Sequence, residues 1–249
     1  MFGSIEHYES AVRKKRFALL RSRAVLAVVL ALVLYLLITH FLVATYDVDS
    51  VSMSPGLQPS DRVMATPLTY GVYVPLSDIR LPGFQKPQRG DLVVVQSPFF
   101  ERDPVWKRLG DPVVRFFTLQ NASLYRDPEG AKMRGYLVKR VVGLPGDTVR
   151  IKDFRVQVRP SGRTDFVSEE EAATTPYRLD FRFAPDGWNA QLPFSGNGKD
   201  VILGADEYFV LGDNRPLSSD SRSWGSINGS HIVAKVFFRY WPFRAFGKL

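Results

Sequence analysis

A long apolar stretch stands out near the start of the chain. Residues 24–44, AVLAVVLALVLYLLITHFLVA, include one side chain that readily carries charge, His40. At about 1.5 Å per residue, such a helix reaches roughly 31 Å, which matches the hydrocarbon core of a bilayer. The stretch exceeds the roughly 7–15 apolar residues of a cleaved signal peptide, and a soluble helix is rarely apolar on every face. The pattern therefore predicts a retained transmembrane helix.

After residue 44 the pattern becomes typical of strands. Runs of β-branched and aromatic residues, bounded by Gly, Pro, Asp or Asn, predict strands at residues 91–96, 136–142, 148–151, 207–211 and 232–240. The sequence LPGD at residues 144–147 favours a tight turn, because Pro presets φ and Gly accepts a positive φ. We therefore expect residues 136–142 to fold back as a hairpin onto residues 148–151, in a part of the chain that is mostly β.

Two segments have weak periodicity and are interpreted as insertions. Long irregular loops are uncommon in compact domains, so we expect short strands or hairpins in each. The predicted organisation is a basic N-terminal segment (1–23), the transmembrane helix (24–44), a β core (45–151 and 205–249) with an inserted segment (97–135), and a second inserted lobe (152–204). The acidic run at residues 169–171 is expected to form a solvated turn or helix start.

Charge predicts how the helix crosses the membrane. Residues 1–23 carry six basic and two acidic side chains, a net charge of +4 out of the +8 of the whole chain. Because basic flanks stay in the cytoplasm, everything after the helix is predicted to lie on the outer side. Basic and acidic residues are mixed along the rest of the chain, which argues against a nucleic-acid partner and allows a mild attraction to anionic lipid.

Composition excludes several kinds of chemistry. The chain has 249 residues, of which 45% are hydrophobic, so it can bury a sizeable core. It has no cysteine, which excludes disulfides, a thiolate nucleophile and a cysteine-ligated metal. The sequence also lacks a histidine-carboxylate cluster and a glycine-rich phosphate loop, so neither a metal nor an organic cofactor is expected.

Two motifs point to a serine hydrolase that uses lysine as its base and works against a membrane. SVSMSPG occupies residues 50–56, just after the apolar stretch, and KRVVGLPGD occupies residues 139–147. Serine needs a neighbour that takes its proton, and histidine is the usual one. The single histidine after the helix, His231, precedes an aromatic strand, where we expect a surface side chain. A Ser-His-Asp triad would rest on His231 alone.

Lysine can replace histidine where burial lowers its pKa and leaves a neutral amine. Lys139 lies in an apolar strand whose alternation puts Leu137, Lys139 and Val141 on one face. If that face is the core side, Lys139 is desolvated. In the opposite arrangement Lys139 faces solvent, while Val138 and Arg140 point inward. Spacing leaves both arrangements open.

Four motifs follow one another along the chain: SMSP at residues 52–55, RGD at 89–91, KRVVGLPGD at 139–147 and GDNRPLSSDSR at 212–222. In this order they resemble the motif set of the type I signal peptidases, the membrane-anchored enzymes that remove signal peptides from exported proteins. The resemblance implies a mostly β fold, a complex of antiparallel sheets with an inserted second lobe behind one transmembrane helix. It also implies a serine endopeptidase that cleaves N-terminal signal peptides at the outer membrane-water interface.

The resemblance assigns roles position by position. Ser52 matches the nucleophile and Lys139 the general base of a Ser-Lys dyad. Ser50 matches a hydroxyl that joins the Ser52 N–H in the oxyanion hole, and Ser218 matches the serine that orients the lysine amine. A structural network of charges is expected to comprise Arg140, Asp213, Asp220 and Arg222. The side chains expected to line the substrate pocket, with core packing as the alternative, are Met53, Leu137 and Val138.

Partners and location follow from the same resemblance. The expected partners are preproteins that bear signal peptides, and membrane lipid; no nucleic acid and no cofactor are implied. The expected location is the bacterial inner membrane, crossed once, with the N-terminus in the cytoplasm. Two other functions remain open: a regulatory Ser-Lys protease that cleaves itself, and a membrane-tethered binding or scaffold protein of this fold without activity.

Overall fold

The computed structural model describes residues 21–74, 77, 79–96, 105–118, 122–124, 135–152, 155–180 and 199–249. Most of the predicted basic segment lies outside the described residues, including its basic run at residues 13–16. Parts of both predicted insertions also lie outside them. The statements that follow concern the described residues.

The first described element, helix α1 (Arg21–Leu42), is long and apolar enough to cross a membrane, and none of its apolar window is buried. Its last turn, Ile38–Leu42, is a π-helix. There the Nε2 atom of His40 lies 2.8 Å from the carbonyl oxygen of Tyr73, which joins the end of α1 to the body of the protein. The helix ends two residues earlier than the apolar pattern indicates, because the chain enters a strand at Ala44.

The described residues form twelve strands and three further helices. The strands are β1 (Ala44–Asp47), β2 (Arg62–Thr66), β3 (Leu92–Gln96), β4 (Tyr136–Gly143), β5 (Thr148–Lys152), β6 (Arg155–Arg159), β7 (Val167–Ser168), β8 (Val201–Ile202), β9 (Glu207–Leu211), β10 (Ile227–Asn228), β11 (Ile232–Trp241) and β12 (Gly247–Lys248). The helices are α2 (Val105–Phe117), α3 (Glu169–Ala172) and α4 (Ser221–Trp224).

The strands make two antiparallel sheets. The larger has the order β1-β2-β11-β3-β4-β9-β10, with β12 paired to β11, and the smaller has the order β7-β6-β5-β8. The prediction of a mostly β fold of antiparallel sheets is confirmed, and the five predicted strands match observed ones to within one residue at each end. Strand β2 was not predicted. It is only five residues long, and its buried residues Val63 and Ala65 alternate with polar or partly exposed ones.

The predicted hairpin is wrong. Strand β4 pairs with β3 on one edge and β9 on the other, so no edge is left for β5, which pairs with β6 and β8 in the smaller sheet. The tight turn itself is present: the Asp147 N–H donates to the Leu144 carbonyl at 3.0 Å, and Gly146 has a φ of 83°. The turn therefore carries the chain from one sheet into the other.

Asp147 holds this crossover in place. Its fully buried carboxylate accepts hydrogen bonds from the N–H groups of Leu144 at 2.8 Å and Ser161 at 3.0 Å, and it forms an ion pair with Arg89 at 2.6 Å. One carboxylate thus ties together the turn, the smaller sheet and the segment that leads into β3. Both flanks of the turn are fixed by the same side chain.

The larger sheet is covered on both faces. Strand β3 sends Leu92 and Val94 into one hydrophobic cluster, and Val93 and Val95 into another. A third cluster, which includes Val142, Val149, Val158, Phe209 and Leu211, packs the ends of β4 and β9 against β5 and β6. Strand β3 and the part of β4 from Lys139 onward therefore lie in the middle of the protein, and side chains on both of their faces are removed from water.

Replacing Asp147 by alanine is expected to destabilise the protein by about 3–5 kcal/mol, because Arg89 loses its buried partner and two N–H groups lose their acceptor. Asp200→Ala is the control, since Asp200 forms a solvent-exposed ion pair with Arg150, and exposed pairs contribute little. Urea unfolding of the full chain in detergent measures both. Equal losses in the two variants would contradict a role for Asp147 in holding the crossover.

Candidate active site

Ser52 lies in a short 3₁₀ turn, Val51–Met53, just after β1. Ser50 caps this turn, because its Oγ accepts the Ser52 N–H at 3.2 Å. The carbonyl oxygen of Ser52 accepts the N–H of Asn214 at 3.0 Å. Met53 is only 1% exposed and packs in the cluster between the larger sheet and this turn. The position of Ser52 is thus fixed by backbone hydrogen bonds and by a buried neighbour.

Lys139 reaches Ser52 from the middle of β4. Its Nζ lies 3.1 Å from Ser52 Oγ and 3.1 Å from Ser218 Oγ, and the residue is 2% exposed. From Lys139 to the end of β4 every residue is buried, Arg140 included. Of the two arrangements that the sequence left open, the first applies, because Lys139 is desolvated. The opposite face of this part of the strand is buried as well.

Burial changes the acid-base behaviour of Lys139. Desolvation of the amine lowers its pKa to about 8, assisted by the nearby Arg222 and opposed by Asp220 and Asp213. The charged form loses its hydration in such surroundings, and the neutral form loses little. At pH 7 about a tenth of the molecules therefore carry a neutral amine that can accept a proton.

The hydroxyl groups around Ser52 are already connected to one another. Ser50 Oγ donates to Ser52 Oγ at 2.8 Å while it accepts the Ser52 N–H. Gly212 lies between Ser218 and the Ser52 turn. If residue 212 had a Cβ, that atom would lie 2.2 Å from Ser218 Oγ and 2.5 Å from the Ser52 carbonyl oxygen. Any larger residue at position 212 would separate Ser218 from the Ser52 turn, so glycine is required there.

The four predicted network charges form two separate ion pairs. Arg140 binds Asp213 through two nitrogens, each 2.7 Å from a carboxylate oxygen, and Arg222 Nε lies 2.8 Å from Asp220. Burial raises the pKa of Asp213 despite this partner. Burial acts in the same direction on Asp220, but the Arg222 guanidinium and the Gly212 N–H hold the pKa of Asp220 below its ordinary value.

The Arg222-Asp220 pair supports the loop that carries Ser218. Asp220 caps α4 by accepting the Arg222 N–H at 3.2 Å, and it accepts the Gly212 N–H at 3.0 Å. Arg222 Nη2 donates to the carbonyl oxygen of Arg215 at 2.7 Å. These hydrogen bonds connect the beginning and the end of the loop formed by residues 212–222. The conformation of this loop fixes the direction from which Ser218 contacts the Lys139 amine.

The structure adds a buried group that the sequence interpretation missed. Glu169 was expected to be solvated, but its side chain and that of Arg215 are each only 2% exposed, and they form a two-point ion pair. The Tyr177 hydroxyl donates to Glu169 Oε2 at 2.9 Å, and the ring of Tyr177 lies 4.2 Å from the Arg140 guanidinium carbon. Arg215 Nε donates to the Gly212 carbonyl at 2.9 Å. The expectation that the acidic run starts a helix is confirmed, because Glu169 is the first residue of α3.

The segment that follows Glu169 runs beside the active-site loop. The Asp180 N–H donates to the Asp213 carbonyl at 3.0 Å, and the Arg215 N–H donates to the Asp180 carbonyl at 3.1 Å. Glu169 and Arg215 are 46 positions apart in sequence, and no local pattern pairs residues at that separation. The nearby acids Asp213 and Asp220 pair with Arg140 and Arg222 instead, so the sequence carried no clear signal for the partner of Arg215.

The three predicted pocket residues do not share one surface. Met53 and Val138 pack with the same hydrophobic cluster, whereas Leu137 packs with the cluster on the other face of the sheet. Leu137 and Val138 are partly exposed, and Met53 offers almost no surface to a ligand.

The side-chain hydrogen bonds of Ser52 go to Lys139 and Ser50 rather than to a histidine. Within the described part of the chain, no group of three His, Asp or Glu side chains could hold a metal ion.

Comparison with known proteins gives consistent results. The family model described as "Signal peptidase, peptidase S26" matches residues 21–241. The thylakoidal processing peptidase 1 of Arabidopsis thaliana is 29% identical over 79% of this chain, which spans only 41% of that relative. Signal peptidase I of Pseudomonas aeruginosa is 27% identical over 85% of this chain and 70% of the relative. Signal peptidase IB of Staphylococcus aureus is 25% identical over 89% of this chain and 90% of the relative.

Among solved structures, a signal peptidase I from Enterococcus faecalis is 21% identical to the chain, with a TM-score of 0.29. The match covers 60% of this chain and 96% of that one.

Glu169→Leu is expected to lower the free energy of unfolding by about 3–5 kcal/mol, because it leaves the Arg215 guanidinium buried without its partner. Glu170→Leu, at the exposed neighbouring position, should change it by less than about 0.5 kcal/mol. The double variant Glu169→Leu/Arg215→Met should regain most of the loss, since an apolar pair of similar volume can replace a buried ion pair. Chemical denaturation of the four proteins tests this. A double variant as unstable as Glu169→Leu would contradict it.

Proposed function

The chain belongs to the peptidase S26 family of signal peptidases, and we propose that it cleaves signal peptides from exported preproteins with Ser52 and Lys139 as a catalytic dyad. Members of this family are hydrolases, and signal peptidase I relatives match most of this chain. The observation that carries the proposed dyad is the 3.1 Å contact between Ser52 Oγ and an almost fully buried lysine amine.

In the proposed reaction, the neutral Lys139 amine takes the proton of Ser52 as its Oγ attacks the carbonyl carbon of the scissile bond. The resulting tetrahedral intermediate collapses, the C–N bond breaks, and the Lys139 ammonium returns the proton to the departing amine. Water then attacks the acyl-serine ester with Lys139 as base again. This releases the signal peptide as a carboxylic acid and restores the Ser52 hydroxyl.

Ser50 and the Ser52 N–H are the proposed donors to the oxyanion. In the structure without substrate they bind one another, at 3.2 Å. A carbonyl oxygen placed between them would receive both hydrogen bonds, with the Ser50 hydroxyl turning away from Ser52 Oγ. Donors of this kind commonly contribute about 2.7–4 kcal/mol each to transition-state stabilisation. Because Ser52 Oγ only accepts a hydrogen bond from Ser50, the proton of Ser52 remains available for the lysine.

Helix α1 is the proposed membrane anchor. Its 22 residues reach about 33 Å, enough to cross the hydrocarbon core. Ser52 follows Leu42 by ten positions, so it lies within roughly 34 Å of the end of the anchor. With the basic segment before residue 24 held in the cytoplasm, the sheets and the site face the outer side. A preprotein held in the bilayer by its signal segment would present its first outer residues at that height.

Leu137 and Val138 remain the proposed contacts for small side chains before the cleavage site. Both lie immediately before Lys139 on β4 and both keep part of their surface exposed. An extended peptide that runs along this part of the sheet would bind mainly through its backbone. Its successive side chains point to opposite faces, so one would meet Val138 and the next Leu137. Met53 supports the Ser52 turn from within the core.

Ser52→Ala is expected to lower the cleavage rate by roughly 10⁴-fold or more, and Lys139→Ala by about 10²–10⁴-fold, the range of a general base. Ser218→Ala should lower the rate less, because Ser218 only orients the amine. Ser219→Ala, at the exposed neighbouring position, should match the unchanged protein.

The assay is cleavage of a precursor with Ala-x-Ala before the cut, in detergent. Undiminished cleavage by Ser52→Ala or Lys139→Ala would eliminate the dyad, and failure of the unchanged protein on several precursors would favour a scaffold.

The pH dependence follows from the lowered pKa of Lys139. Because only the neutral amine accepts the serine proton, kcat/KM should rise with pH and reach half of its plateau near pH 8, where the pKa of Lys139 lies. An unperturbed lysine would place this midpoint near pH 10.4. The measurement is kcat/KM between pH 6 and 10 with unfolding checked at each pH. A rate that stays flat across pH 7–9 would rule out Lys139 as the titrating base.

A further inference from the structure

Helix α2 lies in the predicted insertion 97–135, whose sequence matches no motif of the family. The prediction of short strands or hairpins is wrong for residues 105–117, which form this 13-residue helix. It packs beside the proposed anchor: the rings of Phe116 and Tyr35 lie 5.3 Å apart at 52°. Tyr35 precedes Leu42 by seven residues, so this contact is about 10 Å from the end of α1. If α1 spans the bilayer, the C-terminal end of α2 sits at a depth normally occupied by acyl chains.

The exposed face of α2 is apolar. Trp106 and Phe117, at opposite ends of the helix, are each 63% exposed. Eleven residues separate them, which places them about 16 Å apart and within roughly 20° of each other around the helix axis. Val113, seven residues after Trp106, falls on the same face. A helix face of this kind is unusual in contact with water and typical of one that lies in a membrane interface.

Asp111 and Arg115 lie on the other side of α2 and pair with each other. Asp111 is buried, accepts hydrogen bonds from Ser123 Oγ at 2.6 Å and from the Leu124 N–H at 2.7 Å, and lies 2.6 Å from the Arg115 guanidinium. Both charged residues point roughly opposite to Trp106 around the helix. Their charge is therefore satisfied within the protein, and the apolar face carries little cost for entry into lipid.

We propose that α2 is a second membrane element, an in-plane helix that inserts Trp106 and Phe117 into the leaflet nearer the sheets. The occupant of its apolar face is lipid, because the face is continuous with the lipid-exposed surface of α1 through the Tyr35-Phe116 contact. The Lys107 amine lies 5.8 Å from the centre of the Trp106 ring, an arrangement suited to headgroup height. The proposal rests on α1 as a membrane span. Its consequence is a second attachment that limits rotation of the active site about its anchor.

Because the chain has no cysteine, a nitroxide can be placed at one position at a time. The full chain is reconstituted in nanodiscs of phosphatidylethanolamine and phosphatidylglycerol as the variants Trp106→Cys and Phe117→Cys. Leu34→Cys, on the exposed surface of α1, is the lipid control, and Thr164→Cys, in an exposed bend, is the water control. The accessibility of each nitroxide to oxygen and to a water-soluble nickel chelate is measured by power saturation.

Positions 106 and 117 are expected to show an oxygen-to-nickel accessibility ratio near that of position 34 and several-fold above that of position 164. Nickel accessibility like that of position 164 would overturn the proposal. Protection of both positions from both reagents would also overturn it, because the face would then be covered by protein. If the nitroxide at position 34 is itself accessible to the nickel chelate, α1 does not span the bilayer. Both the α2 proposal and the proposed membrane anchoring are then rejected. A lipid-exposed position 34 with water-exposed positions 106 and 117 rejects the α2 proposal alone.

Discussion

The contact between the buried Lys139 amine and the Ser52 hydroxyl is the constraint on which the rest of the site depends. An amine at the centre of a sheet loses its hydration, which lowers its pKa to about 8 and suits it to the proposed role of base for Ser52. Such burial needs a strand covered on both faces, and β4 lies between β3 and β9 with hydrophobic clusters on either side. The same packing that forms the core thus prepares the proposed base.

Buried ion pairs surround this amine and fix the loop that faces it. Arg140, Arg215 and Arg222 each bind a carboxylate, and together with Asp220 they hold residues 212–222 against the Ser52 turn. Pairs of this kind add little net stability, but losing one partner leaves a buried charge at high cost. The loop therefore has one favoured position, which keeps Ser218 within reach of the amine.

The smaller sheet and its connections contribute to this arrangement. Asp147 fixes the crossover between the sheets, and Glu169, just after β7, supplies the partner of Arg215. The inserted lobe predicted for residues 152–204 thus supports the active-site loop without providing a proposed catalytic group. Outside both sheets, α1 and α2 meet through aromatic rings.

The sequence alone predicted the main elements and the candidate chemistry. Apolar length predicted α1, and β-branched runs predicted five of the strands. The motifs named Ser52, Lys139 and Ser218, and the fold places the Lys139 amine 3.1 Å from the Oγ of each serine. Tertiary structure decided what depends on distant contacts. Alternation could not show that Lys139 is buried, because coverage of both faces of β4 comes from residues far along the chain. Nor could local pattern reveal that β5 leaves β4 or that Glu169 is buried, since strand edges and ion-pair partners are set only when separate segments pack together.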